Sequence, residues 1–234
     1  MSSEVLLELK GVVKRFHGLA VVDNLGFTLQ PGEILGLVGP NGSGKTTAIN
    51  LISGVYATDG GEIRLSGRRI ERLAAFRRVH LGVNRSFQVP KPFRGMTVAE
   101  NILVAAEYGG GKPDREQILE EVGLAEEGDR LAGSLTVNHQ KMLDLGRALA
   151  TEPKIVLVDE IGAGLNPAEL SVVAELLLRL AGRGIALIVV EHLLKFLNRI
   201  TDRVIVLNAG RHLFEGTLAE ASADPEVVAA FLGG

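Results

Sequence analysis

The chain has no cysteine, which excludes disulfides and thiolate metal sites and leaves the redox compartment open. It has no long apolar run: the longest, Ile185 to Val190 and Val227 to Leu232, are six residues each, against the roughly 18 needed to span a bilayer. It has no excess of positive charge, since 25 Lys and Arg stand against 28 Asp and Glu for a formal net charge of −3. The electrostatic footprint of a nucleic-acid binder is therefore missing. Met1 to Glu8 carry no basic segment ahead of an apolar one, so no secretory signal is expected. Neither an internal repeat nor a low-complexity linker is evident. Together these absences predict a soluble cytoplasmic protein without a nucleic-acid partner. If it works at a membrane, other subunits must hold it there.

What is present is an ordinary globular composition, 46% apolar and 23% charged, over 234 residues, enough for a well-buried core. Within it, Gly39-Pro40-Asn41-Gly42-Ser43-Gly44-Lys45-Thr46-Thr47 fits G-x-x-x-x-G-K-[ST], the phosphate-binding loop of nucleoside triphosphatases. The flanks are those the chemistry needs. Ile34 to Val38 reads as a strand buried on both faces, and Ala48, Leu51 and Ile52 recur at helical spacing until Gly54 stops the run. In that setting backbone N–H groups and a helix N-terminus converge on one anion. Lys45 supplies a charge for the outer phosphates and Thr46 a hydroxyl for Mg²⁺. A glycine-rich turn that binds nothing is the plainer alternative, and the strand and helix on either side argue against it.

Around the loop, Val5 to Leu9 and Phe27 to Leu29 alternate as antiparallel strands with one wet face, and Glu62 to Leu65 and Leu81 to Asn84 read as short strands. Thr97-Val98-Ala99-Glu100 is a capping box that opens a helix to about Ala106. The Gly109-Gly110-Gly111 run breaks it, and Asp114 to Val122 restarts a charged helix. A further helix from Asn138 turns Met142, Leu145, Gly146 and Leu149 to one face. Ile155 to Val158 is a buried strand ending in Asp159-Glu160, and Asn166-Pro167 starts the next helix. Ile185 to Val190 delivers Glu191-His192, and a hairpin is expected about Asn208-Ala209-Gly210. The pattern is an α/β nucleotide-binding core with a helical insertion between about residues 90 and 137.

Asp159 at the end of an apolar strand needs a partner or a metal, and strand C-terminal edges are where open α/β sheets bind ligands. Mg²⁺ on a triphosphate would satisfy it, leaving Glu160 to orient and deprotonate water. An isolated Asp-Glu more often caps a strand, a lone His such as His192 is more often structural, and an isolated Gln88 carries little weight. Their order along the chain gives them meaning. Phosphate loop, Gln88, helical insertion, Asp159-Glu160 and His192 resemble the layout of an ABC-type ATPase subunit. The chain is most similar to the ATP-binding subunits of branched-chain amino-acid transporters. Arg85-Ser86-Phe87-Gln88, Ala163 to Pro167, Glu191-His192, Glu215 to Thr217 and Phe231 to Gly234 support this, and the similarity spans nearly the whole sequence.

The resemblance implies a P-loop NTPase core (1–89 and 138–234) with an N-terminal antiparallel β subdomain and an inserted α-helical subdomain (90–137), in one domain using ATP and Mg²⁺. Phe16 would stack on adenine, a position that residue pattern alone assigns to the core. Gln88 would reach Mg²⁺ and the attacking water while reporting to the membrane partner. Ala163 to Asn166 would talk across an ATPase dimer, and His192 would act at the γ-phosphate. The helical insertion would dock on transmembrane permease subunits at the cytoplasmic face, with a solute-binding protein engaged indirectly.

Two positions depart from the family. The signature that contacts the opposite subunit's nucleotide, of Leu-Ser-Gly-Gly-Gln type, reads Leu135-Thr136-Val137-Asn138-His139-Gln140 here, and Ile161 stands where proline is usual. Thr136 keeps a hydroxyl. Asn138 replaces a glycine: either it caps a helix that still offers its positive end, or Asn138 and His139 crowd a phosphate contact that glycine leaves open. The second account leads to a heterodimer with one competent and one impaired site. A regulatory module that binds ATP with little turnover and a soluble non-transport ABC ATPase are the alternatives.

Overall fold

The computed structural model describes residues 5–87, 89–112 and 114–232. In chain order, β1 (Leu7–Phe16) and β2 (Leu19–Leu29) form an antiparallel pair, and β3 (Ile34–Val38) runs through the phosphate loop into α1 (Lys45–Ser53). Then come β4 (Gly60–Leu65), β5 (Arg68–Arg69), α2 (Ala75–His80) and β6 (Val83–Arg85). The helices α3 (Val98–Gly109) and α4 (Arg115–Glu121) follow, with 3₁₀ turns at Ala125–Glu127 and Ala132–Ser134, and then α5 (Val137–Leu149). The chain continues through β7 (Ile155–Asp159), α6 (Pro167–Gly182), β8 (Ala186–Val190), α7 (Leu194–Ile200), β9 (Arg203–Asn208), β10 (Arg211–Gly216), α8 (Leu218–Ala223) and α9 (Pro225–Leu232).

Two sheets result. An antiparallel sheet has the order β2-β1-β4-β5, and a six-stranded sheet the order β10-β9-β3-β8-β7-β6, parallel throughout except for the β9–β10 hairpin. The central parallel strands β3, β7 and β8 are apolar up to the Asp159 that ends β7, because both faces are covered, and their period-2 geometry sends alternate residues to opposite sides. Val38, Val156, Val158, Leu187, Val189, Val204 and Val206 enter one core with α3 to α9. Leu35, Leu37, Ile155, Leu157, Ile188, Val190, Ile205 and Leu207 enter a second with α1 and the antiparallel sheet. Three strands thus end at one edge: β3 delivers the phosphate loop, β7 delivers Asp159 and Glu160, and β8 delivers Glu191 and His192.

Local chemistry sets the helix starts. Thr97 and Glu100 form the expected capping box, as do Asn166 and Glu169 on α6. Several elements differ from the sequence reading. The helix expected from Asn138 begins at Val137 and is capped by Thr136, whose hydroxyl accepts from the His139 amide at 3.2 Å; Asn138 lies inside the first turn. α3 continues to Gly109 and ends on Gly110 at φ 81, a left-handed cap. β6 starts two residues later than expected, because Leu81 closes α2 and Gly82 turns the chain at φ 99. Phe16 is half-buried at the end of β1 rather than in the core, edge-on to Tyr56 with ring centroids 5.3 Å apart. The helices α2, α7, α8 and α9 were not anticipated.

Candidate active site

The phosphate loop is a backbone cradle that tolerates little added volume. Gly39 has φ 147, and a Cβ there would meet the Leu207 carbonyl oxygen at 2.2 Å. Gly44, which precedes α1, has φ 102, and its Cβ would meet the Val21 carbonyl oxygen at 2.7 Å. Lys45 is 6% exposed. Its ammonium donates back to the carbonyls of Gly39 at 2.8 Å and Pro40 at 2.9 Å, folding over the loop it serves. Burial pulls Lys45 below its ordinary pKa, while the carboxylates of Glu160 and Asp159 oppose the shift. The buried Ser43 hydroxyl has no hydrogen-bond partner among the described residues. An orphaned donor inside an amide-lined loop fits a phosphate oxygen as the missing acceptor.

Across the cleft, Asp159 is 3% exposed and lies 3.4 Å from the Arg85 guanidinium. Burial raises its pKa, with Arg85 the main opposing influence. Glu160 follows in a left-handed conformation at φ 50, a sparsely populated region for a residue with a side chain. Its amide still donates to Val190 at 2.9 Å, so the strain sits at the margin of the sheet. The Glu160 carboxylate meets His192 Nε2 at 3.1 Å. Val21, Asn41, Gly42, Gly44, Lys45, Thr46, Thr47, Glu160 and His192 line one cleft of about 170 Å³.

The structure therefore brings Lys45, Thr46, Thr47, Glu160 and His192 together around the loop. Asp159 joins them at the end of β7, and Phe16 stands at the end of β1 beside Lys14, whose ammonium is 5.3 Å from its ring centroid. Gln88 lies outside the described residues. Thr136, Asn138 and His139 open α5, where the Asn138 side-chain amide donates to Glu169 Oε1 at 2.8 Å. Arg85 was overlooked as a partner of Asp159, and no feature of its sequence neighbourhood marks it as one. Lys141 and Glu191, buried beside Glu160, were overlooked too, although a lysine and a glutamate next to otherwise apolar core positions were a visible signal.

Among the described residues no cluster of three His, Asp or Glu side chains could hold a metal by itself. A divalent ion would take most of its oxygen ligands from phosphate and water, as Mg²⁺ does, and the buried Asp159 with the Thr46 hydroxyl suits that arrangement.

Fold and cleft define an ATPase of the P-loop class, whose substrate is ATP with Mg²⁺. The model of the ABC transporter family matches residues 22–163. The high-affinity branched-chain amino acid transport ATP-binding protein LivG of Escherichia coli (strain K12) is 36% identical over 252 residues, covering 99% of each chain. BraF of Pseudomonas aeruginosa, described in the same words, is 34% identical and also covers 99% of each. Among solved structures, the ADP conformation of MJ1267, an ATP-binding cassette of an ABC transporter, superposes with a TM-score of 0.89 at 30% identity, covering 98% of this chain and 99% of that one. The chain belongs to the ABC transporter family.

Proposed function

We propose that this chain is the ATP-hydrolysing subunit of an importer for branched-chain or other hydrophobic amino acids, held at the cytoplasmic face of the membrane by permease subunits. The observation that carries the reading is the cleft itself: the phosphate loop and the Glu160–His192 pair line it together, and the buried strand-end carboxylate of Asp159 lies near enough to interact electrostatically with Lys45. The full-length similarity to LivG and BraF directs it to these solutes.

In this reading Gly39 to Thr47 hold the phosphates, with Lys45 released from its own loop carbonyls onto the outer phosphates. Thr46, Asp159 and Gln88 hold Mg²⁺, which supplies neutralisation of phosphate charge. Glu160 accepts the proton of the attacking water, and His192 orients that carboxylate beside the γ-phosphate. Phe16 stacks on the base. Catalysis is positioning and electrostatics, so a buried, preorganised cleft is the main requirement.

Residues 90–137 form the docking insertion. No helix among the described residues is long and apolar enough to cross a membrane, so attachment falls to partners. A groove of about 240 Å³, lined by Phe76, Arg85, Phe87, Ala105, Tyr108 and Arg147 among others, opens between α2, α3 and α5. Phe76 and Tyr108 are 63% and 78% exposed, an apolar surface suited to a permease segment. The second ATPase subunit is a different chain, because Asn138 and His139 replace the residues expected to approach the opposite nucleotide, and a homodimer would carry them in both sites.

Reconstitution of the chain with candidate permease and second ATPase subunits, in vesicles with a solute-binding protein, tests this. ATP-dependent uptake of leucine, isoleucine or valine is expected, with one copy of this chain per complex. ATP hydrolysis without uptake of these or of any other hydrophobic amino acid would overturn the solute assignment, and two copies per complex would overturn the heterodimer.

A further inference from the structure

The loop after Glu160 leaves the sheet and turns through Gly162 and Gly164 before α6 begins at Pro167. Its carbonyls need other partners. Lys141, on the second turn of α5, supplies them: its ammonium donates to the carbonyls of Ala163 at 2.6 Å, Ile161 at 3.1 Å and Glu160 at 3.3 Å. An ammonium has three donors, so the set is saturated. Lys141 is only 7% exposed, and a cation is kept there at a cost that such pairing must offset.

From the other side, Glu191 holds the same loop by its amide. Its Oε1 accepts from Gly162 at 2.6 Å and its Oε2 from the His192 amide at 3.3 Å. One jaw thus grips the backbone of Glu160 and the other the backbone of His192. Three residues before Lys141, on the same face of α5, Asn138 binds Glu169, whose second oxygen accepts from the Asn166 amide at 2.8 Å. α5 is tied to both ends of the segment from 160 to 166.

We propose that Lys141 is a positioning residue for hydrolysis: it fixes the Glu160 loop to α5, so that a nucleotide engaged at the start of α5 in the partner's site sets the placement of Glu160 in this chain's own site. This rests on the reading of the chain as a dimeric ATPase. With its donors engaged by loop carbonyls, the lysine acts through the Glu160 backbone. A side chain that filled space alone would be replaceable by an isosteric apolar one. A clamp on three carbonyls is not.

The test uses the assembled complex, with Lys141→Met and Lys141→Arg compared against the native chain for ATP affinity, kcat and the cooperativity of turnover with ATP. Lys141→Met is expected to lower kcat by about 10- to 100-fold, the scale of a small misplacement of a catalytic group, with ATP affinity held within about twofold and cooperativity lost. Lys141→Arg, which keeps the donors, restores most of the rate. Should Lys141→Met fold poorly, Lys141→Leu, which likewise has no donor, carries the same readouts. A native rate and native cooperativity in the folded Met or Leu variant overturn the proposal, as does an equal loss in Lys141→Arg. Absence of ATP hydrolysis by the native complex overturns the underlying function and the inference with it.

Discussion

His192 Nε2 lies 3.1 Å from Oε1 of Glu160, although the two residues arrive from different strands, β8 and β7. The parallel pairing of those strands accounts for the meeting: Asp159 is opposite Val190, so the next residues leave the sheet at the same level. A carboxylate oxygen can only accept, so the contact needs the tautomer with its N–H on Nε2, which then orients the acid. Glu160→Gln retains the shape and removes the base. Hydrolysis is expected to fall by about 10²- to 10⁴-fold, while ATP binding measured at equilibrium persists. His192→Ala is expected to lower turnover by a smaller factor, since the base remains but is no longer oriented. A Gln variant that turns over at the native rate removes Glu160 from the chemistry.

The loop glycines separate two costs. A Cβ at Gly39 would collide with the Leu207 carbonyl at 2.2 Å, whereas at Gly42, φ 76, it meets none of the described residues within 4 Å. Gly42→Ala therefore carries only the backbone penalty of a left-handed residue, about 1–2 kcal/mol. Gly39→Ala adds displacement of β9 backbone, and overpacking of that kind costs about 1–3 kcal/mol more. Urea unfolding of the two variants should rank Gly39→Ala as clearly less stable. Equal midpoints would mean that the loop yields, and that its rigidity is not what preorganises the phosphate site.

How far the site was legible depended on where its partners lie. β3, β7 and β8 are unbroken apolar runs, so their ends, and with them Lys45, Asp159, Glu160 and His192, could be placed from sequence. Thr97 with Glu100 and Asn166 with Glu169 announce their helices because a cap is local chemistry. α2 inverts the usual pattern and was not seen: Phe76 is exposed while Arg78 is buried, donating to the carbonyls of Leu51, Ile52, Glu71 and Leu73. Burial lowers the Arg78 pKa to about 10. Backbone carbonyls carry no residue signature, which is also why the grip of Lys141 could not be read. Phe16 looked like core because nothing in its own segment shows that its neighbour is Tyr56 across a half-open edge. Asn favours the cap position, but Thr136, two residues before Asn138, takes it, leaving the Asn138 amide to Glu169.

The clamp on the Glu160 loop has a signature in pH. Glu191 is 3% exposed, and burial raises its pKa, opposed by the amides of Gly162 and His192 and by Lys141. A carboxyl whose pKa is higher in the folded protein holds its proton over a range where the unfolded chain has lost it. The native state then binds more protons, and stability falls as pH rises through that range. The window opens near the ordinary glutamate value of about 4.3 and closes at the raised folded value. Glu191→Gln is neutral throughout and keeps an oxygen for the Gly162 amide, so it lacks this slope. The unfolding midpoint of Glu191→Gln minus that of the native protein should therefore increase with pH across the window and level off above it. Surface carboxylates with lowered values, such as Asp59 and Glu62, are common to both proteins and cancel in the difference. A difference that stays flat, or declines, from pH 4 upward would show that the two amides and Lys141 fully offset the burial of Glu191, and that the carboxylate grips the loop without strain.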